Sequence, residues 1–212
     1  FRRVLFRSSL TRANMEREKN ALIGGVTEGV QGFYPLSFVG PELEQVSQIL
    51  QGPKLQDQTF ALANIQSKFS ESDYSVVHFA THGLFSSDFR KSFLLAHDDK
   101  FTMSRLEQAL SGQQGLDLLV LSACETAAGD DRAALGLAGV AIQAGAESAL
   151  ASLWSISDEG TAELIPIFYE NLYSEGKSKA ESLRQAQLKL LRDPRFDHPV
   201  FWAPYILIGN WI

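Results

Sequence analysis

Apolar positions along the chain follow two patterns: short continuous runs, and recurrences every three or four residues. Continuous runs are typical of strands buried on both faces of a sheet, and the longer spacing is typical of helices with one apolar face. The runs predict strands at residues 20–26, 75–83, 116–125, 149–154 and 205–208, and the spacing predicts helices at 41–50, 59–69, 133–144, 158–173 and 177–191. Because strands alternate with helices, the sequence predicts an α/β three-layer sandwich with a mostly parallel sheet.

One further helix start is indicated by local sequence. Ser104 and Glu107 have the spacing of a capping box, in which the two side chains satisfy backbone donors at a helix start. We therefore expect a short helix that begins at Ser104. Residues 84–101 hold only a short apolar pair and turn-forming aspartates, and they predict a loop.

Length and composition favour a single folded domain. The chain has 212 residues, of which 45% are hydrophobic, enough for one substantial core. Residues 1–8 contain no Met and resemble the translation of a sequencing-library adapter. We exclude them from the fold, expect the domain to occupy residues 9–212, and expect the natural protein to continue upstream.

Charge and cysteine content exclude several classes of protein. The net charge is −6, or −9 without the three arginines of residues 1–8, so no basic face for nucleic acid is expected. A single cysteine cannot form an internal disulfide, and no apolar run has the length of a membrane span or the pattern of a signal peptide. We therefore expect a cytoplasmic protein with no membrane partner.

The candidate chemistry lies at the ends of two predicted strands. His82 ends the run 75–83, and Cys124, the one cysteine, ends the run 116–125. Carboxyl ends of neighbouring parallel strands face one crevice, so the two side chains are expected to meet there. A thiol needs a neighbouring base to become nucleophilic, and His82 can supply it. The N–H groups of Gly83 and Cys124 could then form an oxyanion hole.

Four segments of the chain resemble the CHAT family of caspase-like cysteine peptidases, related to caspases and separase. They are residues 77–83 (VHFATHG), 119–126 (LVLSACET), 152–158 (SLWSISD) and 198–203 (HPVFWA). The resemblance implies a caspase-like α/β/α fold, His82 as general base, Cys124 as nucleophile, a protein or peptide substrate and no cofactor. Because such domains often follow tetratricopeptide repeats, it also implies an upstream repeat or sensor domain.

The same resemblance suggests two substrate-binding residues. Asp158 follows the segment that in separase carries a carboxylate for arginine, so by analogy it could select Arg or Lys. Asp158 also suits the N-cap of the following helix, and one residue could serve both roles. Ser122 stands where caspases place a polar residue that helps to set specificity. A neutral Ser binds a charged side chain weakly. If the site selects a charged substrate residue, we therefore expect Asp158 or the pair Asp130 and Asp131 to do so.

Other chemistries fit the sequence less well. His78 and His82 lie four residues apart on a strand, and Phe79 stands where a zinc protease needs Glu, so no metal site is predicted. His97 and His198 suit loop and packing roles. The competing interpretation is a catalytically silent signalling or scaffold domain with the same fold, and an acyltransferase or esterase that uses the same pair of residues is a third.

Overall fold

The computed structural model describes residues 19–85, 89–122, 125–126, 139, 142, 144–152 and 156–212. Within these residues a central sheet of six strands has the order β10-β9-β7-β3-β1-β2. Its strands are β1 (Ala21–Gly25), β2 (Lys54–Gln56), β3 (Val76–Ala80), β7 (Leu118–Ser122), β9 (Ser148–Ser152) and β10 (Tyr205–Gly209). All neighbours pair in parallel except β10, which runs antiparallel to β9. All five predicted strands are present, and β2 is an addition at the edge.

Helices cover both faces of this sheet. They are α1 (Val39–Leu50), α2 (Leu62–Glu71), α3 (Met103–Ser111), α4 (Asp158–Tyr169) and α5 (Lys179–Leu191). Alternate strand residues face two separate apolar clusters, one shared with α1, α4 and α5 and the other with α2 and α3. The predicted three-layer α/β/α sandwich with a mostly parallel sheet is therefore confirmed. Most of the predicted helix at residues 133–144 lies outside the described residues.

The start of α3 corrects one expectation. The N-cap is Thr102, not Ser104, and it makes no side-chain capping hydrogen bond. The chain passes directly from a strand that ends at Thr102 into the helix, so Ser104 already lies in the first turn. The capping-box prediction is wrong because strand pairing decides where this helix begins.

A second, smaller sheet replaces most of the loop expected at residues 84–101. Its order is β6-β5-β4-β8, formed by β4 (Gly83–Phe85), β5 (Phe93–Leu95), β6 (Lys100–Thr102) and β8 (Glu125–Thr126). β4 follows β3 after two residues, and it pairs in parallel with β8 through Leu84 opposite Glu125. The chain segments that follow β3 and β7 therefore pair with each other again in the small sheet, beyond the edge of the central sheet. None of the described helices is long and apolar enough to cross a membrane.

Candidate active site

The candidate site begins where β3 leaves the central sheet. Ala80 pairs with Ser122 on β7, and the next amide, that of Thr81, donates to the Ser122 carbonyl at 3.2 Å. The Thr81 hydroxyl donates to the carbonyl of Leu95 at 2.6 Å, and the Leu95 amide donates to the His82 carbonyl at 2.8 Å. The backbone that carries His82 is therefore fixed to both sheets.

The imidazole of His82 is held from two sides. Its Nε2 lies 2.7 Å from the carbonyl oxygen of Tyr34, and its ring centroid lies 5.0 Å from that of Phe33. A carbonyl oxygen can only accept, so Nε2 carries the proton of this hydrogen bond. The other nitrogen, Nδ1, is then the atom left to accept a proton in the neutral ring. This hydrogen bond therefore leaves Nδ1 as the nitrogen of His82 that a proton donor could approach.

The loop that supplies Phe33 and Tyr34 is anchored by Asp57. The Asp57 carboxylate accepts the Thr27 amide at 2.7 Å, the Thr27 hydroxyl at 2.8 Å and the Glu28 amide at 3.2 Å. Partial burial tends to raise the pKa of Asp57, but the hydrogen bonds from Thr27 and Glu28 outweigh it and lower the pKa. None of these residues was predicted from sequence. The glycines and proline between residues 29 and 35 indicate a loop, but not what the loop contacts.

Asp158 lies at the meeting point of two helix starts. It is the first residue of α4, and Ser157 is the N-cap, so the predicted N-cap role of Asp158 is wrong. The Asp158 carboxylate instead accepts the amide of Phe38, the N-cap of α1, at 2.8 Å. The pKa of Asp158 is raised overall, chiefly by burial and further by the Glu42 carboxylate. The hydrogen bond from the Phe38 amide and the proximity of His82 partly offset this rise. Asp158 follows β9, which runs parallel to β7 and β3, so it lies at the same carboxyl-end edge of the sheet as His82.

Ser122 belongs to a buried polar cluster beneath this edge. Its hydroxyl donates to Oε1 of Glu42 on α1, and both residues are fully buried. The same oxygen lies 3.3 Å from Nε2 of His78, and the Tyr169 hydroxyl lies 3.3 Å from Nδ1 of His78. Burial raises the pKa of Tyr169 well above its usual value. Ser122 thus faces Glu42 in this structure, and its contact with substrate stays a prediction that this packing does not favour.

Several predicted site residues lie outside the described part of the chain. These are Cys124, whose sulfur and amide would be nucleophile and oxyanion donor, and the pair Asp130 and Asp131. Gly83 is described: it opens β4 directly after His82 and is buried. Its oxyanion role stays a prediction.

The remaining histidines have contacts that account for them. Nε2 of His97 lies 3.0 Å from the Glu28 carboxylate, and Nδ1 of His198 accepts the Val200 amide at 3.2 Å. His78 is enclosed by Glu42 and Tyr169. In the described ranges no three His, Cys, Asp or Glu side chains are grouped so as to hold a metal ion.

Known structures share this architecture at low sequence identity. The Arg-specific cysteine proteinase gingipain R matches with a TM-score of 0.63 and 13% identity over 94% of this chain and 48% of that chain. The complex of Porphyromonas gingivalis RgpB pro- and mature domains matches with a TM-score of 0.60 and 13% identity, covering 94% of this chain and 49% of that one. The chain therefore spans about half the length of these gingipain chains. The caspase-like fold predicted from the motifs is confirmed.

A third structure has a size closer to that of the present chain. The Geobacter sulfurreducens protein GSU0716 matches with a TM-score of 0.51 and 13% identity over 84% of this chain and 89% of that chain. Among curated proteins, none matches. The CHAT domain family matches residues 3–210, nearly the whole sequence. The sheet order, the histidine at the strand end and this match together lead to one conclusion: the protein belongs to the CHAT domain family.

Proposed function

We propose that the chain is a cysteine endopeptidase in which Cys124 is the nucleophile and His82 the general base. One observation carries the proposal. Ala80 pairs with Ser122 in the central sheet, and Leu84 pairs with Glu125 in the small sheet. These two pairings lie on either side of residues 81–83 in one chain segment and of residues 123–124 in the other. Since paired strands lie about 5 Å apart, this arrangement supports a meeting of His82 with Cys124.

The proposed reaction follows from the orientation of His82. Nδ1 of His82 takes the proton of the Cys124 thiol, and the thiolate sulfur attacks the carbonyl carbon of the substrate peptide bond. The N–H groups of Gly83 and Cys124 would hold the resulting oxyanion. His82 then protonates the leaving amine and an acyl-thioester remains on Cys124. Water activated by His82 hydrolyses this thioester, which releases the second product and restores the thiol.

We further propose that the site selects Arg or Lys on the acyl side of the cut bond. The half-buried carboxylate of Asp158 lies at the same edge as His82, because β9 runs parallel to β3 and β7, and its Oδ2 accepts the Phe38 amide. No hydrogen bond from the described residues reaches its other oxygen, where a guanidinium or ammonium group would form a strong charge-assisted hydrogen bond. The similarity to gingipain R, which is Arg-specific, agrees with this choice.

Cleavage of a peptide library by wild type, Cys124→Ala and His82→Ala tests the proposed reaction. We expect cleavage by wild type and none by either variant, while circular dichroism stays the same for all three. Equal cleavage by all three proteins would refute the dyad. No cleavage by wild type would support a catalytically silent domain instead.

The same library tests the proposed specificity. We expect wild type to prefer Arg or Lys and Asp158→Asn to lose that preference. Glu159→Gln is the matched control, because Glu159 is the next residue of α4 and is exposed. An apolar preference in wild type, or a basic preference retained by Asp158→Asn, would end the assignment of Asp158.

A further inference from the structure

The buried cluster beneath the site contains a carboxylate in an unusual setting. Glu42 has no exposed surface, and among the described residues its Oε2 has no hydrogen-bond partner. Its Oε1 accepts the Ser122 hydroxyl and lies 3.3 Å from His78 Nε2 without the alignment of a hydrogen bond. Burying a carboxylate that is only partly satisfied is costly, and each such group in a folded protein calls for an explanation.

The location of Glu42 suggests what offsets this cost. Ser122 is the last residue of β7 and stands two positions before Cys124. His78 is on β3, four positions before His82. Both strands present these side chains to the face covered by α1 and α4, and Glu42 on α1 reaches both. One carboxylate thus connects a helix to the two strands whose ends carry the proposed nucleophile and base.

A purely stabilising role is a weaker explanation. Apolar side chains of similar volume commonly serve a core as well as a buried charged group does, or better. The contrast with Lys179 is informative, because that buried ammonium is fully explained by its ion pair with Asp117 at 2.5 Å. Asp117 directly precedes β7, at the end of the strand opposite Ser122. Glu42 has no such simple partner.

We propose that Glu42 is a positioning residue that, through Ser122 and His78, holds the ends of β7 and β3 at the spacing at which Cys124 and His82 react. This inference rests on the proposed peptidase function. Misplacing reacting groups by about 1 Å can cost about a hundredfold in rate. Loss of Glu42 should therefore lower kcat and leave KM nearly unchanged, because the residue is buried away from substrate.

The first test compares kcat per active site, counted by titration with a peptide acyloxymethyl ketone that alkylates the single cysteine. We expect Glu42→Leu to lower kcat by about tenfold to a hundredfold, with KM within about twofold. Glu42→Gln keeps an oxygen that can accept from Ser122, so it should rescue part of the loss. Unchanged kcat per titrated site in Glu42→Leu would overturn the proposal.

Two controls separate positioning from loss of stability. Ser122→Ala should lower kcat, whereas Ser182→Ala removes a buried hydroxyl that has no hydrogen-bond partner among the described residues and should not. Lys179→Met should lower the melting temperature without changing kcat per titrated site. Equal falls in kcat for Ser122→Ala and Ser182→Ala would contradict the proposal.

A second measurement does not depend on catalysis. The Thr81 amide donates to the Ser122 carbonyl across the two strand ends. Hydrogen exchange at Thr81 should become faster in Glu42→Leu while the amides of β1 keep their protection. Unchanged exchange at Thr81 would refute the positioning role even if the chain is a peptidase. A wild-type chain that neither cleaves peptides nor reacts with the ketone would refute the proposed function, and exchange at Thr81 would still decide whether Glu42 positions this edge.

Discussion

Replacing Phe33 by Ala should lower activity by loosening the imidazole of His82. The Phe33 ring lies 5.0 Å from the His82 ring at an interplanar angle of 36°, and 6.3 Å from the Phe93 ring at 81°. It therefore fills the space between the proposed base and the small sheet. Without it, the ring of His82 keeps the hydrogen bond to the Tyr34 carbonyl but loses its packing support.

The size of the effect follows from these contacts. A pair of aromatic rings contributes about 0.5–1.5 kcal/mol beyond burial of area. If about 1 kcal/mol of the contact between Phe33 and His82 serves to orient the imidazole, loss of Phe33 reduces the population of molecules with a correctly oriented imidazole by about fivefold. We expect kcat to fall by about that factor in Phe33→Ala. Phe33→Leu keeps apolar bulk at this position and should lose less.

The assay measures kcat per site titrated with the peptide ketone, alongside thermal unfolding. Trp211→Ala is the control, because Trp211 is an exposed aromatic residue far from His82. Trp211 follows the end of β10, where Gly209 pairs with Ser148 at the start of β9, and this is the edge of the sheet opposite the site. We expect Trp211→Ala to keep wild-type kcat. Wild-type kcat in Phe33→Ala would refute the argument that Phe33 orients His82.

Three further predictions concern stability. Asp57→Asn should destabilise the fold at neutral pH by about 1 kcal/mol, since it removes the charge that accepts from Thr27, and the deficit should shrink as pH falls below 3.8 and vanish below the lowered pKa of the folded state. Glu181→Gln should be less stable above pH 4.5 and should equal wild type near pH 2, because the hydrogen bond from Arg184 lowers the pKa of Glu181 to about 2. Phe168→Ala empties a fully buried position and should cost about 3–5 kcal/mol in urea unfolding.

Each of these has an outcome that contradicts it. Both carboxyl groups have lowered pKa values in the folded protein, so their contribution is present at neutral pH and is lost as pH falls. A deficit that is constant from pH 7 to pH 2, or that grows as pH falls, would be the wrong sign. A cost below about 1 kcal/mol for Phe168→Ala would mean that the core under α4 collapses to fill the space.

The long elements of the fold were predictable because burial leaves a clear pattern in sequence. The strand that ends at Ala80 is buried on both faces and apolar apart from His78, as expected of a strand with helices on either side. The small sheet was missed because its strands have two or three residues, too few to show a period. Its pairing depends on contacts between segments far apart in sequence, which local pattern does not record.

The site was predictable in part for the same reason. His82 stands at the end of an apolar run, and that position alone indicates an exposed strand end. The Tyr34 carbonyl that orients the imidazole is a backbone group, which any residue could provide. Glu42 could have been found, since it stands four residues before Val46 on the apolar face of α1, where a charged residue is unexpected.

In the proposed mechanism Cys124 reacts as a thiolate that His82 makes available. The most direct measurement is the rate at which an arginyl peptide acyloxymethyl ketone alkylates the chain, followed by mass spectrometry of the single cysteine. We expect rapid labelling of Cys124 in wild type and much slower labelling in His82→Ala. Equal labelling rates for the two proteins would contradict this mechanism, and so would a wild-type rate no higher than that of a free thiol in solution.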